Sequence, residues 1–399
     1  MKPKLHTQIL LAMVAGAVIG AALGPRVEAI RIVGDLFIRL LRMVVIPLIL
    51  ASMVSGVVSL GASGRRLGRL GLQTLAYYAA TTILAVLVGL ILVNIIRPGA
   101  GVALPEAAQQ TAPDVRPPSW LSVVTDIVPE NPLAAMATDQ VLSVIFLALL
   151  LGVAICTVGD KARPLAAFFE ALNAVMLRIT GWIMLLAPIG VAALMAHTIG
   201  TMGLDAIRGL AAYMLTVLLG LAIHAFITLP LIVGLVGRTR PWRFIRDVFT
   251  AVATAFSTSS SAATLPVTMT CLEKNAGLSD KVVGFVVPIG ATVNMDGTAL
   301  YEAVAAMFIA QVYGVDMGIS QQVLIMLTAT LASIGAAAIP SAGLFTMMIV
   351  LQAVGLPVEA VGLILAVDRI LDMFRTAVNV WGDACGAAVV NRLQAERGG

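Results

Sequence analysis

Apolar stretches succeed one another along almost the whole of this chain, at about 7–24, 34–60, 72–96, 139–158, 164–199, 207–236, 243–272, 281–312, 320–355 and 357–391. A helix crossing a bilayer needs roughly 20 consecutive apolar residues, because each advances it by about 1.5 Å through a hydrocarbon core about 30 Å thick. Composition excludes a soluble domain. Of 399 residues, 60% are hydrophobic and 12% charged, against roughly 45–50% and 25% in soluble proteins. Backbone polar groups have no partner in lipid, so only helices or a closed barrel are stable there, and runs of this length favour helices. An all-α polytopic membrane protein is expected.

The opening MKPKLHTQILLAMVAGAVIGAALG has the basic start, apolar run and small residues of a secretory signal. A second apolar run comes directly after it, so it is expected to remain as a first span. Cys156, Cys271 and Cys385 have no paired spacing, which implies neither a disulfide framework nor a zinc site. The pI near 9.1 does not point to nucleic acid, because the basic residues form short clusters between apolar runs, as membrane topology requires.

Two segments, 243–272 and 320–355, are interrupted near Ser259 and Pro340 by small residues and proline. Non-helical backbone at membrane depth is tolerated only where protein buries it or where it lines a cavity. Each is therefore expected to be a re-entrant hairpin. With both hairpins returning to the side they entered and the N-terminus inside, fifteen Lys and Arg in the connections fall inside and five outside, namely Arg26, Arg31, Arg97, Arg116 and Arg208. That asymmetry is the one the positive-inside rule demands, and it fits eight spans plus two hairpins, with 98–130 as an outer loop. The hairpins open from opposite sides and each precedes a helix bearing an Asn and an Asp, an inverted repeat of the kind that marks secondary transporters.

The stretch DRILDMFRTAVNVWGD, Asp368 to Asp383, concentrates charge in this apolar background. At about 100° per residue, Asp368, Asp372, Arg375, Asn379 and Asp383 share one helix face. Ionisable groups at mid-membrane are costly and usually line an ion or substrate path. In NMDGT, Asn294 and Asp296 offer hard oxygen ligands, which with Asn379 and Asp383 suit an alkali cation rather than a transition metal. Arg375 presents a planar fork that matches a carboxylate, and Asp372, within one turn, accepts from an ammonium group. Together they suit a zwitterion with an extra carboxylate; an internal pairing of Arg375 with Asp368 or Asp372 is compatible with that. The first tip, STSSSAATLP at Ser257–Pro266, supplies hydroxyls and helix-end amides for an anion. The second, SIGAAAIPSAG at Ser333–Gly343, has only backbone to offer and suits a gate. A hydrolase would need a base beside one of those serines, and His6, His197 and His224 lie in no motif, so an enzyme is not expected.

The motifs SSSAATLPVTM, GATVNMDGTALYE, SIGAAAIPSAG and DRILDMFRTAVNVWGD, in this order, resemble the dicarboxylate/amino acid:cation symporter family, and the resemblance covers nearly the whole chain. It implies a sodium-coupled symporter of L-aspartate or L-glutamate, a homotrimer in a bilayer, working by an elevator movement and sited in a prokaryotic plasma membrane. A proton-coupled carrier, or one for C4-dicarboxylates or neutral amino acids, is the alternative. It further implies a scaffold from 1–70 and 98–200 and a mobile transport part from 71–97 and 201–399. Arg375 with Thr298 would bind the side-chain carboxylate and Asp372 the amino group. Thr376, Asn379, Ser260 and Ser261 at the first tip, and Ile339, Ala342 and Gly343 at the second would hold the main-chain groups. One sodium set would be Asp383, Asn379, Asn294 and the carbonyl of Gly290. A second would be Asp296 and Asn294 with Tyr78, Thr81 and Thr82, and a third the carbonyls of Thr292, Ser333, Ile334 and Ala336. Ser259 stands where archaeal members carry arginine and animal members serine. C4-dicarboxylate carriers lack the counterpart of Asp372 and neutral carriers that of Arg375, whereas this chain has both. Trp381 is given no role by the resemblance.

Overall fold

The protein was analysed as a computed structural model that describes residues 5–102, 128–138, 140–202, 205–334 and 342–395. Regular structure among them is entirely helical: α1 (Leu5–Leu23), α2 (Glu28–Ile96), α3 (Pro132–Ala137), α4 (Val141–Val158), α5 (Arg163–Met184), α6 (Ala187–Met202), α7 (Asp205–Ile223), α8 (Leu229–Leu235), α9 (Pro241–Thr258), α10 (Ser261–Thr270), α11 (Asp280–Val293), α12 (Asp296–Val312), α13 (Ile319–Ile334), α14 (Ala342–Ala353) and α15 (Val361–Ala395). By length and composition, Glu28–Val58, Arg69–Ile96, Ser143–Met184, Arg208–Leu235 and Asp280–Val312 are long and apolar enough to cross a membrane. Helix α15 is long enough too, but Asp368, Arg369, Asp372, Arg375 and Asp383 interrupt its apolar run.

Three boundaries differ from expectation. The runs 34–60 and 72–96 do not separate; helical hydrogen bonding continues from Glu28 to Ile96. The sequence between them, GASGRRLGRLG, reads as a loop by charge and its four glycines weaken a helix, yet propagating an existing helix costs far less than nucleating a new one. Conversely, the run 164–199 divides at Leu185–Leu186, just before Pro188 enters the first turn of α6, where a missing N–H is harmless. The run 281–312 breaks at Asn294 and Met295, where Asn294 turns to ψ 91° and Met295 is non-helical before α12 begins.

The first interrupted segment breaks where its sequence says. Helix α9 ends on Ser259 in the left-handed region, φ 50° and ψ 39°, and Ser260 caps α10 by accepting a hydrogen bond from the Ala263 N–H at 3.2 Å. Helices α9 and α10 then pack on each other, as do α13 and α14. The turn between the latter pair, with Ala336 and Ile339, and the expected outer loop over 103–127 lie outside the described residues.

Helix α12 sits at the centre: every residue from Asp296 to Ile309 is buried, and it packs against α2, α7, α13, α14 and α15. A helix buried on all sides has no solvent or lipid face to present, so its polar residues Asp296, Thr298 and Glu302 must find partners inside the protein. At the periphery α1 approaches α6 through Gly16 and Gly20, where a Cβ would collide with the backbone carbonyls of Ala192 and Ala196. Small residues one turn apart are what permit such close helix contact in a membrane.

Candidate substrate and cation site

Helix α15 turns its polar face inward. Asp368, Asp372, Arg375, Thr376, Asn379 and Asp383 are each at most 6% exposed, and together they meet three other elements: the broken helix α11–α12, the start of α14, and the Tyr78–Thr82 turn of α2.

The first group centres on Arg375. Its Nη2 donates to Asp372 Oδ1 at 2.8 Å, and its Nη1 lies 3.1 Å from Asp368 Oδ1. Asp372 also accepts from Arg369 Nη1 at 3.3 Å. The guanidinium lies over the ring of Tyr301 in α12, with Cζ 3.9 Å from its centroid, close enough for a cation–π contact. Gly343, at the start of α14, packs against the same guanidinium. Yet Arg375 Nε is buried without a hydrogen-bond partner among the described residues, and Nη1 faces Asp368 as an ion pair without hydrogen-bond geometry. Buried donors are normally paired, so the fork keeps an unused N–H direction that suits a ligand carboxylate.

The second group forms because α11 stops short. A helix start leaves its first amides unpaired, and Asn379 Oδ1 accepts from one of them, the Gly297 N–H, at 2.8 Å. Asn379 Nδ2 donates to Thr298 Oγ1 at 3.3 Å. Asn294, in the break, donates from Nδ2 to Asp383 Oδ1 at 2.9 Å and to the Asn379 carbonyl at 3.3 Å. Its own Oδ1 is buried with no donor among the described residues. An orphaned amide oxygen beside a carboxylate fits a hard cation. Gly290 closes this group, since a Cβ there would strike Asp383 and the Tyr78 hydroxyl.

The third group surrounds Asp296, fully buried at the first position of α12. Its Oδ1 accepts from Thr82 Oγ1 at 2.7 Å and Thr81 Oγ1 at 3.3 Å. On the other side, His224 Nε2 stands 3.1 Å from Oδ2. Thr81 Oγ1 is also within 3.2 Å of the Tyr78 carbonyl, so its proton has an alternative acceptor when a cation takes the hydroxyl oxygen.

Of the residues singled out in the sequence, Arg375, Asp372, Gly343, Thr298, Asn379, Asn294, Asp383, Gly290, Asp296, Tyr78, Thr81 and Thr82 are joined by these contacts. Ser260 and Ser261 stand at the α9–α10 tip, linked to α15 through the edge-to-face pair Phe256–Phe374, 5.0 Å between centroids. Thr376 is buried and spends its hydroxyl on the Asp372 carbonyl at 2.8 Å. Thr292 is exposed, with its hydroxyl on the Ile289 carbonyl at 3.0 Å. Ser333 is buried near the end of α13, its hydroxyl on the Thr330 carbonyl, next to Ile334. Ala342 begins α14. The third sodium set is expected on backbone carbonyls, of Thr292, Ser333, Ile334 and Ala336, and the last of these lies outside the described residues.

Sequence reasoning missed Tyr301 and His224. Tyr301 lies three residues beyond Thr298 and so shares its helix face, a spacing visible in the sequence. The sequence offers His224 only as a catalytic base without a motif; a histidine deep in an apolar run needs a partner, and the Asp296 carboxylate is that partner.

The comparisons with known proteins agree with this arrangement. A profile of the sodium:dicarboxylate symporter family matches residues 5–393. Excitatory amino acid transporter 3 of Homo sapiens is 39% identical to this chain, over 96% of the chain and 85% of the transporter. An excitatory amino acid transporter of Caenorhabditis elegans is 40% identical over 90% of the chain and 80% of its own length, and excitatory amino acid transporter 2 of Homo sapiens is 38% identical over 98% and 80%. With a profile match over nearly its full length, a polar core buried among apolar helices, and relatives near 40% identity, the chain belongs to the sodium:dicarboxylate symporter family.

Proposed function

We propose that this protein is a sodium-coupled symporter for acidic amino acids, L-aspartate or L-glutamate, in a prokaryotic plasma membrane. The observation that carries this reading is the pairing on one helix of a buried guanidinium that keeps an unpartnered Nε–H, at Arg375, and an acid one turn away, at Asp372. A substrate with two carboxylates and one ammonium group would place its side-chain carboxylate on Arg375 and its ammonium on Asp372. A ligand carboxylate would add a third anion to the Arg375 fork beside Asp368 and Asp372, and a ligand ammonium a further cation to Asp372 beside Arg375 and Arg369. Thr298, Thr376 and Asn379 would orient the main-chain end, with amides of the α10 start at Ser260 and Ser261 and the second tip, Ile339 to Gly343, closing over it.

Sodium is cargo in this scheme. Asp383, Asn294, Asn379 and Gly290 would hold one ion, and Asp296 with Tyr78, Thr81, Thr82 and Asn294 another; the unpartnered Asn294 Oδ1 supports both assignments. A third ion would rest on carbonyls of Thr292, Ser333, Ile334 and Ala336. Every residue that supplies these groups lies within 71–97 or 201–399, in keeping with a division into a moving transport part and a scaffold formed by 1–70 and 98–200, although α2 runs unbroken across the boundary at residue 70. Eight spans, two re-entrant hairpins and an elevator movement of a homotrimer complete the proposal; the break at Ser259 and the packing of α13 on α14 favour the hairpins.

Radiolabelled aspartate uptake into proteoliposomes tests the whole scheme. Uptake should require an inward sodium gradient, with unlabelled glutamate competing and succinate and serine competing weakly. Accumulation without sodium rejects the coupling; stronger competition by succinate or serine moves the substrate to a dicarboxylate or a neutral amino acid.

A further inference from the structure

Trp381 and His224 hold neither substrate nor sodium in that scheme, and one stretch of backbone connects them. Helices α7 and α8 are joined by a π-helical turn, His224–Thr228, in which the Leu229 N–H bonds to the His224 carbonyl instead of the residue four back. That shift removes Leu229 as the donor to the Ala225 carbonyl. The next donor in π-helical register would be residue 230, which is a proline and has no N–H. The Ala225 carbonyl is thus deprived of both main-chain donors, in a setting where an unpaired carbonyl is costly. Trp381 supplies the missing one: its Nε1–H donates to the Ala225 carbonyl at 3.0 Å, while its ring packs on Phe244 of α9, 5.6 Å between centroids. π-Helical turns recur at functional sites because they re-aim a side chain. Here the re-aimed side chain is His224, the neighbour of Ala225, which reaches Asp296 Oδ2 at 3.1 Å.

The state of the imidazole is set by its surroundings. Nε2 faces a carboxylate oxygen, which only accepts, so Nε2 carries hydrogen; Nδ1 is buried with no hydrogen-bond partner among the described residues, so a proton there would be unpaired. His224 therefore donates from Nε2 to Oδ2, and this contact fixes the carboxylate plane so that Oδ1 faces the hydroxyls of Thr81 and Thr82.

We infer that His224 is a positioning residue for the sodium ion at Asp296, and that Trp381 holds the π-helical register which aims it. This rests on the symport reading, since it presumes that Asp296 binds sodium. The test is sodium-dependent thermal stabilisation of the purified full-length protein, without substrate, titrated with sodium chloride. His224→Leu is expected to raise half-saturating sodium by about tenfold or more, the scale of a lost hydrogen bond to a charged group. His224→Gln, whose amide keeps a donor at similar reach, should stay within about threefold of the wild type, while the shorter His224→Asn should not. Trp381→Phe, which keeps the ring and loses the N–H, should give an intermediate rise, and Trp182→Phe, on an exposed side chain, none. Aspartate affinity at saturating sodium should change less than about threefold throughout, as expected if only the ion site is disturbed. Unchanged sodium dependence in His224→Leu overturns the inference, as do equal losses in the Leu and Gln variants or a parallel loss of aspartate affinity. If His224→Leu does not fold, the Gln against Asn comparison and Trp381→Phe decide on the same criteria. A wild type insensitive to sodium sinks the symport reading and this inference with it, whereas a sensitive wild type with an indifferent His224→Leu sinks this inference alone.

Discussion

Gly343 lies so close to the Arg375 guanidinium that a methyl group in its place would stand 2.8 Å from Nη1 and 3.0 Å from Cζ and Nη2. The fork is thereby held between Gly343 and the ring of Tyr301, and its position depends on the absence of a side chain at residue 343. Gly343→Ala is expected to displace the guanidinium and to lower the affinity for aspartate by about tenfold or more, a cost of about 1–3 kcal/mol typical of a forced shift in a packed site. Sodium-dependent stabilisation should be preserved. A binding isotherm for aspartate at saturating sodium measures it.

Tyr301 supports the other side of the same group. Phenylalanine keeps the aromatic face and leucine removes it, so Tyr301→Phe should bind aspartate within about threefold of the wild type, while Tyr301→Leu loses the equivalent of about 0.5–2 kcal/mol. Comparing the two variants in one competition assay separates the ring face from the hydroxyl; equal losses would show that the hydroxyl matters more.

Arg375→Ala should abolish transport of acidic substrates and leave Asp368 as a buried acid without its ion-pair partner, while Asp372 keeps Arg369. Breaking a buried pair from one side typically costs about 3–5 kcal/mol. The variant is expected to unfold several degrees lower in a thermal scan and to show no aspartate-dependent uptake. Asp372→Asn, in contrast, should keep the helix stable and lose discrimination between an amino acid and a plain dicarboxylate, so succinate should gain on aspartate in competition.

How much of this is legible in the sequence depends on where the information sits. The face of α15 is readable because all its members lie on one helix and spacing alone aligns them. The break at Ser259 is readable from a cluster of small polar residues in an apolar run. The break at Asn294–Met295 is only hinted at by the poor helix formers Thr292, Val293, Asp296 and Gly297, because what stabilises the interruption is Asn379 and Asp383, more than eighty residues away. The His224–Asp296 contact has the same character: a partner 72 residues distant leaves no local pattern. Helix α2 misleads in the opposite sense, since Arg65, Arg66 and Arg69 mark a loop by their charge although nothing in their helix propensity ends a helix.

Gly16 and Gly20 make a prediction of a different kind. Replacing either by leucine should separate α1 from α6 and destabilise the protein, on the scale of about 1–3 kcal/mol for an overpacked contact. The polar groups around α15 are not part of that contact, so sodium and aspartate affinities of the folded fraction should remain as in the wild type. Thermal unfolding with and without sodium reads both quantities from one preparation.

Helix α15 runs unbroken from Val361 to Ala395, and on it the Arg375 fork and the Asp383 carboxylate are eight residues apart. At about 1.5 Å per residue that is a separation of about 12 Å set by covalent and hydrogen-bonded geometry alone. The two are fastened to one strut, as two riders on a single beam, and no shift of the beam can advance one of them while leaving the other behind. If the two groups hold an organic acid and a cation as proposed, the two seats can move apart only by a fracture of this helix. The tolerance for bending is placed elsewhere, at Asn294 and Met295, where the chain is already cut.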